Sequence, residues 1–514
     1  MCRPLVLTLA ISAAWSFGAL RKPDFSGIWK ASSSGRSQIF ILDQKETELR
    51  FFEIVNERLS MLSAPFDGQS HVQQTNGLPC ELLTRWEGDA LFLETKRPGD
   101  RSVAPEQVQY LLHLSADGAT ISVTRTGIAP AQKTISERWE RQDSPHPKNF
   151  YTGFDARLER ESPKPLGTEE ESRLQGWLGY AFNDIVRAER GYLPIINRKG
   201  PSQLRADAQS SLVYTYERNG LFGKAAQVCL KGDRGFYKKL ARYPEMSVDH
   251  RDYAQLQAAH DSEGRLLLPI TIAGRSATYM VDTGSGDSII RMSEARRLGL
   301  KIESLTRNNT DGLTQWKTNL TIVPDMAIGK TVMRNIHFWV APDDRLNWPG
   351  FVGVIGIDLL LKIETLRWDS SGIAEIGFPA QEKDIRKANL CFWKRSLYLE
   401  ASSSALGRMV FFFDTGNNAT LLYPHFAMAN LDLVVAKGEV RHAEWNAHGG
   451  HGDIAELDLP EIPLTVGGAD TSISPAAVLL ESVGFNRHGT IGMNLLNRAP
   501  RVTLDLHAMR LTLE

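Results

Sequence analysis

The sequence is poor in the features that would narrow its class at once. Four cysteines in 514 residues, at Cys2, Cys80, Cys229 and Cys391, are too few and too scattered for a disulfide framework. At most one bridge could form, and isolated buried thiols are the expectation. Lysine and arginine (59) almost balance aspartate and glutamate (60), for a formal net charge of -1. That balance carries no polyanion-binding signature, so nucleic acid is not an expected partner. Beyond the N-terminus no segment is long and apolar enough for a membrane helix, so no membrane contact is expected after a leader is removed.

What is present begins with that leader. Arg3, the apolar run Leu5-Val6-Leu7-Thr8-Leu9-Ala10-Ile11 and the small residues Ser16, Gly18 and Ala19 have the charge, core and exit of a secretory signal peptide over residues 1–19. The expectation is export to the periplasm or the cell exterior. Cleavage after Gly18 is as plausible as after Ala19, because Phe17 sits awkwardly for the latter. An ordinary buried N-terminal helix is the alternative.

Residues 20–143 alternate β-branched or aromatic runs with turn pairs. Ile39–Leu42, Glu48–Phe52, Ala90–Thr95, Val108–Leu112, Ile121–Thr124 and Ile135–Trp139 read as strands, with Gly88-Asp89 and Asp117-Gly118 as hairpin turns. Regular strands without helices between them predict an antiparallel β barrel or sandwich. Phe25-Ser26-Gly27-Ile28-Trp29 resembles the Gly-x-Trp opening of lipocalin-type barrels. That resemblance implies a ligand cavity; a structural β module is the preferred reading.

Residues 144–250 change character. Pro145, Pro147, Pro163 and Pro165 make a linker, and Thr168-Glu169-Glu170-Glu171 opens a helix with a capping box. Leu174, Trp177, Leu178, Ala181, Phe182 and Ile185 follow at helical spacing. A second helix is predicted from about Pro201 to Gly220, and a shorter one from Lys224 to Leu230. The stretch from Leu212 to Ala226 resembles one tetratricopeptide hairpin, which alone cannot form a solenoid. A helical connector packing on its neighbours is the expectation.

The chemistry lies in the last half. Tyr279-Met280-Val281 runs into Asp282-Thr283-Gly284-Ser285, and 132 residues on Phe411-Phe412-Phe413 runs into Asp414-Thr415-Gly416-Asn417. Each is a buried strand that delivers a carboxylate into a turn. The flanks repeat as well. A strand and a Gly-Arg turn precede each aspartate; a glycine-bearing polar loop and an apolar-apolar-glycine triplet come after it, Val354-Ile355-Gly356 and Thr490-Ile491-Gly492. The whole is an internal repeat of about 125 residues.

On these motifs each half, 255–380 and 388–514, resembles a retropepsin-like aspartic peptidase domain. Retropepsin subunits work as dimers with one aspartate each, so a tandem pair implies two β-barrel domains folded into an intramolecular pseudo-dimer, a monomer of the pepsin kind. The chain as a whole is then multidomain and mainly β. By resemblance Asp282 and Asp414 are the catalytic dyad of an aspartic endopeptidase, with peptide or unfolded protein as substrate and no metal or other cofactor. Thr283 and Thr415 would bond across the interface, Gly284 and Gly416 would present N–H groups to the carboxylates, and Ser285 would supply a supporting hydroxyl. Asn417 departs from the Ser, Thr or Ala common there, and its amide could donate to Asp414. Gly356 and Gly492 would let loops pass beneath the aspartates, and Asp358 and Asn494 suit helix N-caps. Ile357 and Met493 replace the arginine that retroviral members often carry, which fits a permanent interface.

Flaps are expected at Asn308–Gly312 and His448–Gly452, with Gly312, Gly449 and Gly450 as candidate hinges. His442, His448 and His451 admit a metal reading, which no acidic or thiol ligand completes. Two alternatives stand beside the enzyme: a catalytically inactive peptide-binding or scaffold protein on the same fold, and halves that pair between chains.

Overall fold

A computed structural model describes residues 22–33, 36–55, 58–75, 78–97, 106–129, 132–142, 154–155, 157, 168–198, 202–310, 315–447, 450–480 and 487–514. The chain forms two compact units, one of residues 1–52 and 61–141, the other of residues 142–514 with 53–60. It is multidomain and mainly β.

The first unit is a ten-stranded antiparallel sheet: β1 Gly27–Ser33, β2 Arg36–Gln44, β3 Glu48–Val55, β4 Arg58–Pro65, β5 Ser70–Thr75, β6 Leu78–Glu87, β7 Ala90–Arg97, β8 Glu106–Leu114, β9 Thr120–Ala129 and β10 Lys133–Arg141. Strand order is β4-β3-β2-β1-β10-β9-β8-β7-β6-β5, a meander that turns back on itself where β1 pairs with β10. The open end falls between β4 and β5, where the Gln73 amide spans it. Its Oε1 accepts from Ser63 N at 3.0 Å and its Nε2 donates to Ser63 O. Period-two patterning drives the fold. In β8, Val108, Tyr110 and Leu112 point into the core while Gln109 and Leu111 lie half-covered between them. Trp139 stacks on Phe40 with centroids 4.4 Å apart, and Phe40 on Phe51 at 5.7 Å. These rings occupy the centre of the module, where a ligand cavity would have to lie. Trp29, the tryptophan of the opening motif, is fully buried, and its Nε1 donates to Phe25 O at 3.0 Å.

The second unit starts with helices α1 Thr168–Ala181, α2 Ile185–Ile196, α3 Gln203–Arg218, α4 Phe222–Val228 and α5 Arg234–Leu240. The apolar spacing from Leu174 to Ile185 predicts one helix, but the structure breaks it. Asn183 has φ 51 and Asp184 caps α2, accepting from Arg187 N. Glycines allow the first two helices to touch backbone to backbone. A Cβ on Gly191 would lie 2.0 Å from Gly176 N. At the end of α3 the buried Arg218 donates to Tyr180 O and to Asn183 Oδ1, and its guanidinium lies 4.1 Å from the Phe392 ring centroid. The helical segment is thereby fastened to the half that carries Asp414.

The strands after it form three sheets. A nine-stranded sheet contains Arg275–Val281 beside Gly353–Ile355 in parallel, with Met280 opposite Val354. A ten-stranded sheet contains Gly407–Phe413 beside Gly489–Ile491 in parallel, with Phe413 opposite Ile491. A five-stranded sheet takes Ala254–Gln257, Ile373–Ile376 and Thr365–Asp369 from one half and Arg501–Asp505 and Arg510–Leu513 from the other. Its central pairing sets Leu366 against Leu504. Cys80, Cys229 and Cys391 are buried.

Candidate active site

Both aspartates sit just past the end of a buried strand that is locked to a parallel neighbour. Asp282 N donates to Ile355 O at 3.0 Å and Asp414 N to Ile491 O at 3.1 Å. The turns beyond these strands face each other through four hydrogen bonds. Thr283 N donates to Thr415 Oγ1 and Thr415 N to Thr283 Oγ1, each at 3.0 Å. Thr283 Oγ1 donates to Phe413 O at 2.8 Å and Thr415 Oγ1 to Val281 O at 2.9 Å. Both threonines are fully buried. Every donor and acceptor in this lattice has its partner on the opposite strand end, which is what a polar group away from water requires.

The glycines explain how close the acids come. A Cβ on Gly284 would stand 2.4 Å from Asp414 Oδ1, and one on Gly416 would stand 2.5 Å from Asp282 Cγ. Each carboxylate thus rests against the glycine of the other turn, a contact no side chain tolerates. The two acids stand close enough for each to perturb the ionisation of the other.

Burial holds the Asp282 carboxyl above the usual carboxylate range, opposed by N–H donors. Those donors are Gly284 N at 2.8 Å and Ser285 N at 3.1 Å, both on Oδ1. Asp414 is pushed well above its ordinary value, first by burial, then by repulsion from Asp282, with Gly416 N at 3.0 Å to oppose it. Two like charges in a poorly solvated site cannot both form cheaply. Asp282 Oδ1 has two backbone donors against one on Asp414 Oδ1, and the two acids titrate as a pair.

Beneath the acids the loops are equally tight. A Cβ on Gly356 would meet Asp287 O at 2.4 Å, and one on Gly492 would meet Ala419 O at 2.4 Å. Gly356 N donates to Ser288 Oγ and Gly492 N to Thr420 Oγ1, each at 3.0 Å. Gly356 and Gly492 are the N-caps of the short helices Ile357–Ile363 and Met493–Leu496. Asp358 and Asn494, expected as caps, lie deeper in the helices and reach back instead. Asp358 Oδ1 accepts from Ser288 Oγ at 2.7 Å and Asn494 Oδ1 from Thr420 N at 2.8 Å. Burial pushes Asp358 up to about 7. Ile357 and Met493 are fully buried.

Two expected contacts are corrected. The Ser285 hydroxyl donates to Asp287 O at 2.6 Å, so its support for Asp282 comes from the backbone N–H. The Asn417 side chain closes on its own turn, its Oδ1 accepting from Ala419 N at 3.0 Å, while the Asn417 backbone N–H donates to the Asp414 carbonyl at 3.2 Å. Each short side chain finds a nearer main-chain partner in its own turn.

The described parts of the expected flaps lie at the ends of paired strands. Ile302–Thr310 pairs with Gln315–Ile328 up to Thr310 opposite Gln315, and Glu439–Ala447 pairs with Gly450–Leu459 up to Ala447 opposite Gly450. Gly312, Gly449 and His448 lie outside the described residues, and Gly450 opens its strand. The side chains of His442 and His451 also lie outside what is described.

Sequence reading missed a group of charges beside the first turn. Arg307 Nη1 donates to Asp287 Oδ2 at 2.7 Å and Arg307 Nη2 to Glu217 Oε1; Arg395 Nη2 reaches Glu217 Oε2 at 2.8 Å. These residues come from α3, a strand of the first half, a turn of the second and the loop after Asp282. No local pattern links them, since only the tertiary fold brings Glu217 within reach of residues 287, 307 and 395.

Residues 268–359 match the family described as aspartyl protease, and that stretch is a domain of this kind. A similar solved structure is a retropepsin-like aspartic protease from Rickettsia conorii, at 20% sequence identity and a TM-score of 0.20, with 26% of this chain and 95% of that chain covered. None of the curated proteins matches the chain.

Proposed function

We propose that the protein is an exported aspartic endopeptidase whose two halves form an intramolecular pseudo-dimer and share one acid pair, Asp282 and Asp414. The observation that supports this most directly is the reciprocal threonine lattice, which brings each carboxyl against the glycine of the opposite turn. The aspartyl protease match over residues 268–359 supports the reaction class, and the N-terminal leader pattern supports export.

In this reading an extended peptide lies between the hairpins Ile302–Ile328 and Glu439–Leu459 and adds strand-like hydrogen bonds to them. Water sits between the carboxyls. Ionised Asp282 takes a proton from it while neutral Asp414 gives its proton to the scissile carbonyl oxygen, so base and acid act in one step. The tetrahedral intermediate collapses as a proton passes to the amide nitrogen, the C–N bond breaks, and the pair is left with one proton again. The glycine cradles serve this chemistry by letting the two acids approach without a side chain between them.

The test is hydrolysis of an unfolded protein by the purified mature chain, followed by mass spectrometry of the products across acidic to neutral pH. Asp282→Asn is expected to lower kcat by roughly a thousandfold or more. Substrate retained by the parent protein but recovered intact at every pH would replace the enzyme reading with that of a peptide-binding protein. Full cleavage by Asp282→Asn would end the shared-acid mechanism.

A further inference from the structure

The helical segment before the protease halves is wired to one member of the acid pair and not to the other. Four contacts run in series. Glu217, near the end of α3, accepts from Arg307 Nη2. Arg307, in the strand Ile302–Thr310, donates through Nη1 to Asp287 Oδ2 at 2.7 Å. The Asp287 carbonyl accepts from Ser285 Oγ at 2.6 Å, and Ser285 N donates to Asp282 Oδ1 at 3.1 Å. Resting on the peptidase reading above, we propose that Glu217 and Arg307 are positioning residues that set the turn carrying Asp282. Through them the helical segment holds the Ser285 N–H against Asp282 Oδ1.

Three observations carry this beyond a local ion pair. Arg307 is fixed on all sides: its guanidinium lies 5.3 Å from the Trp339 ring centroid and 5.9 Å from that of Phe236 in α5, and its two ends are taken by carboxylates. A planar fork held in this way transmits position, because neither carboxylate can shift without moving the other. Second, Asp287 is the residue whose carbonyl fills the space left by Gly356, so its placement also sets the loop under the acid. Third, among the described residues the other turn has no such connection. Ala419 occupies the place of Asp287, and Asn417 closes on Ala419 N. Arg395, from the half that carries Asp414, joins the same cluster through Glu217 at 2.8 Å and packs its Cβ 3.4 Å from where a Cβ on Gly286 would sit.

The groups facing Glu217 are Arg307, Arg395, Asp287, Tyr214 and the Tyr237 hydroxyl. Burial pushes Glu217 up to about 7, with Arg307 opposing. Both cations have other contacts, so the cluster tolerates a neutral Glu217 better than the loss of Arg307. A change at Arg307 is therefore expected to cost more than one at Glu217.

The experiment compares Arg307→Met, Arg307→Lys, Glu217→Gln and the Arg307→Met/Glu217→Gln double variant in the full mature chain, by kcat, KM and the pH profile of kcat/KM. Arg307→Met is expected to lower kcat about tenfold to a hundredfold with KM little changed, and to move the acid limb of the profile upward, since Asp282 loses a well-placed N–H. Arg307→Lys, which keeps charge and loses the fork, should recover part of both. Glu217→Gln should show the same changes in weaker form, and the double variant should be no worse than Arg307→Met alone. A folded Arg307→Met with the parent's kcat and acid limb would overturn the proposal. If the parent hydrolyses nothing, the peptidase reading fails separately, and carboxyl-carbon NMR titration of the acid pair then decides. An upward move of the Asp282 titration in Arg307→Met supports the positioning role, and an unchanged titration refutes it.

Discussion

The two Asp-Thr-Gly turns have matching threonines, matching glycine cradles and matching strand anchors, yet they leave their carboxyls in different states. Asp282 Oδ1 receives two backbone donors and Asp414 Oδ1 one. After Asp282 the loop continues into Asp287, which Arg307 holds; after Asp414 it continues into Ala419, which nothing charged can hold. An acid pair can thus be built from nearly equal turns and still be biased by the residues a few positions downstream of each. The threonine lattice sets the separation. The flanking donors make the surroundings of the two carboxyls unequal.

The comparison can be tested from its symmetric part outward. Thr283→Val strips the acceptor from Thr415 N and the donor from Phe413 O, both buried. Thr415→Val does the mirror-image damage to Thr283 N and Val281 O. Each should cost about 1–3 kcal/mol per stranded group, read by urea unfolding, and the two losses should be close. Clearly unequal losses would mean that the lattice is not the symmetric part.

The next effect is on stability against pH. Asp414 in the folded chain keeps its proton well above the ordinary value of 3.8, where the unfolded chain has already lost it. The native state therefore binds more protons in that window, and stability falls as pH rises through it. Asp414→Asn removes this loss. Its Tm relative to the parent should rise between acidic and neutral pH, measured by calorimetry, and a constant difference would show that Asp414 is not the protonated member.

The smallest effect concerns Asn417. Asn417→Ser gives the second turn the sequence of the first, and the upper limb of the activity profile should move slightly downward as Asp414 becomes easier to ionise. An unmoved limb would place the asymmetry wholly in Asp287 and Arg307.

Much of this site could be read from the chain because its motifs are local. Thr283, Gly284, Thr415 and Gly416 are adjacent to their acids in sequence, and Gly356 and Gly492 are marked by the apolar pair before them. The misses have physical causes. The α1–α2 break was hidden because Leu174 to Ile185 keeps its apolar spacing across Asn183, and a single residue at positive φ leaves no mark on periodicity. Strands β4, β5 and β6 went unread since Ser, Gln and Pro interrupt their alternation, and their burial depends on neighbours across the sheet. Glu217 and Arg307 lie 90 positions apart. A charge near the end of a helix reads as a solvated position until the fold supplies its partner.

The five-stranded sheet has a consequence in time. Two of its strands, Arg501–Asp505 and Arg510–Leu513, are made long after both acids, and the backbones of Arg501 and Glu514 close on each other there. During synthesis this clasp cannot form until Arg510–Leu513 has left the ribosome. A nascent chain carrying Asp282 and Asp414 but not that hairpin has Thr365–Asp369 paired on one edge only, with Ile373–Ile376, and lacks the strand pairing that joins the two halves in this sheet. The last residues to be made are thus the ones that finish the sheet shared by the two halves.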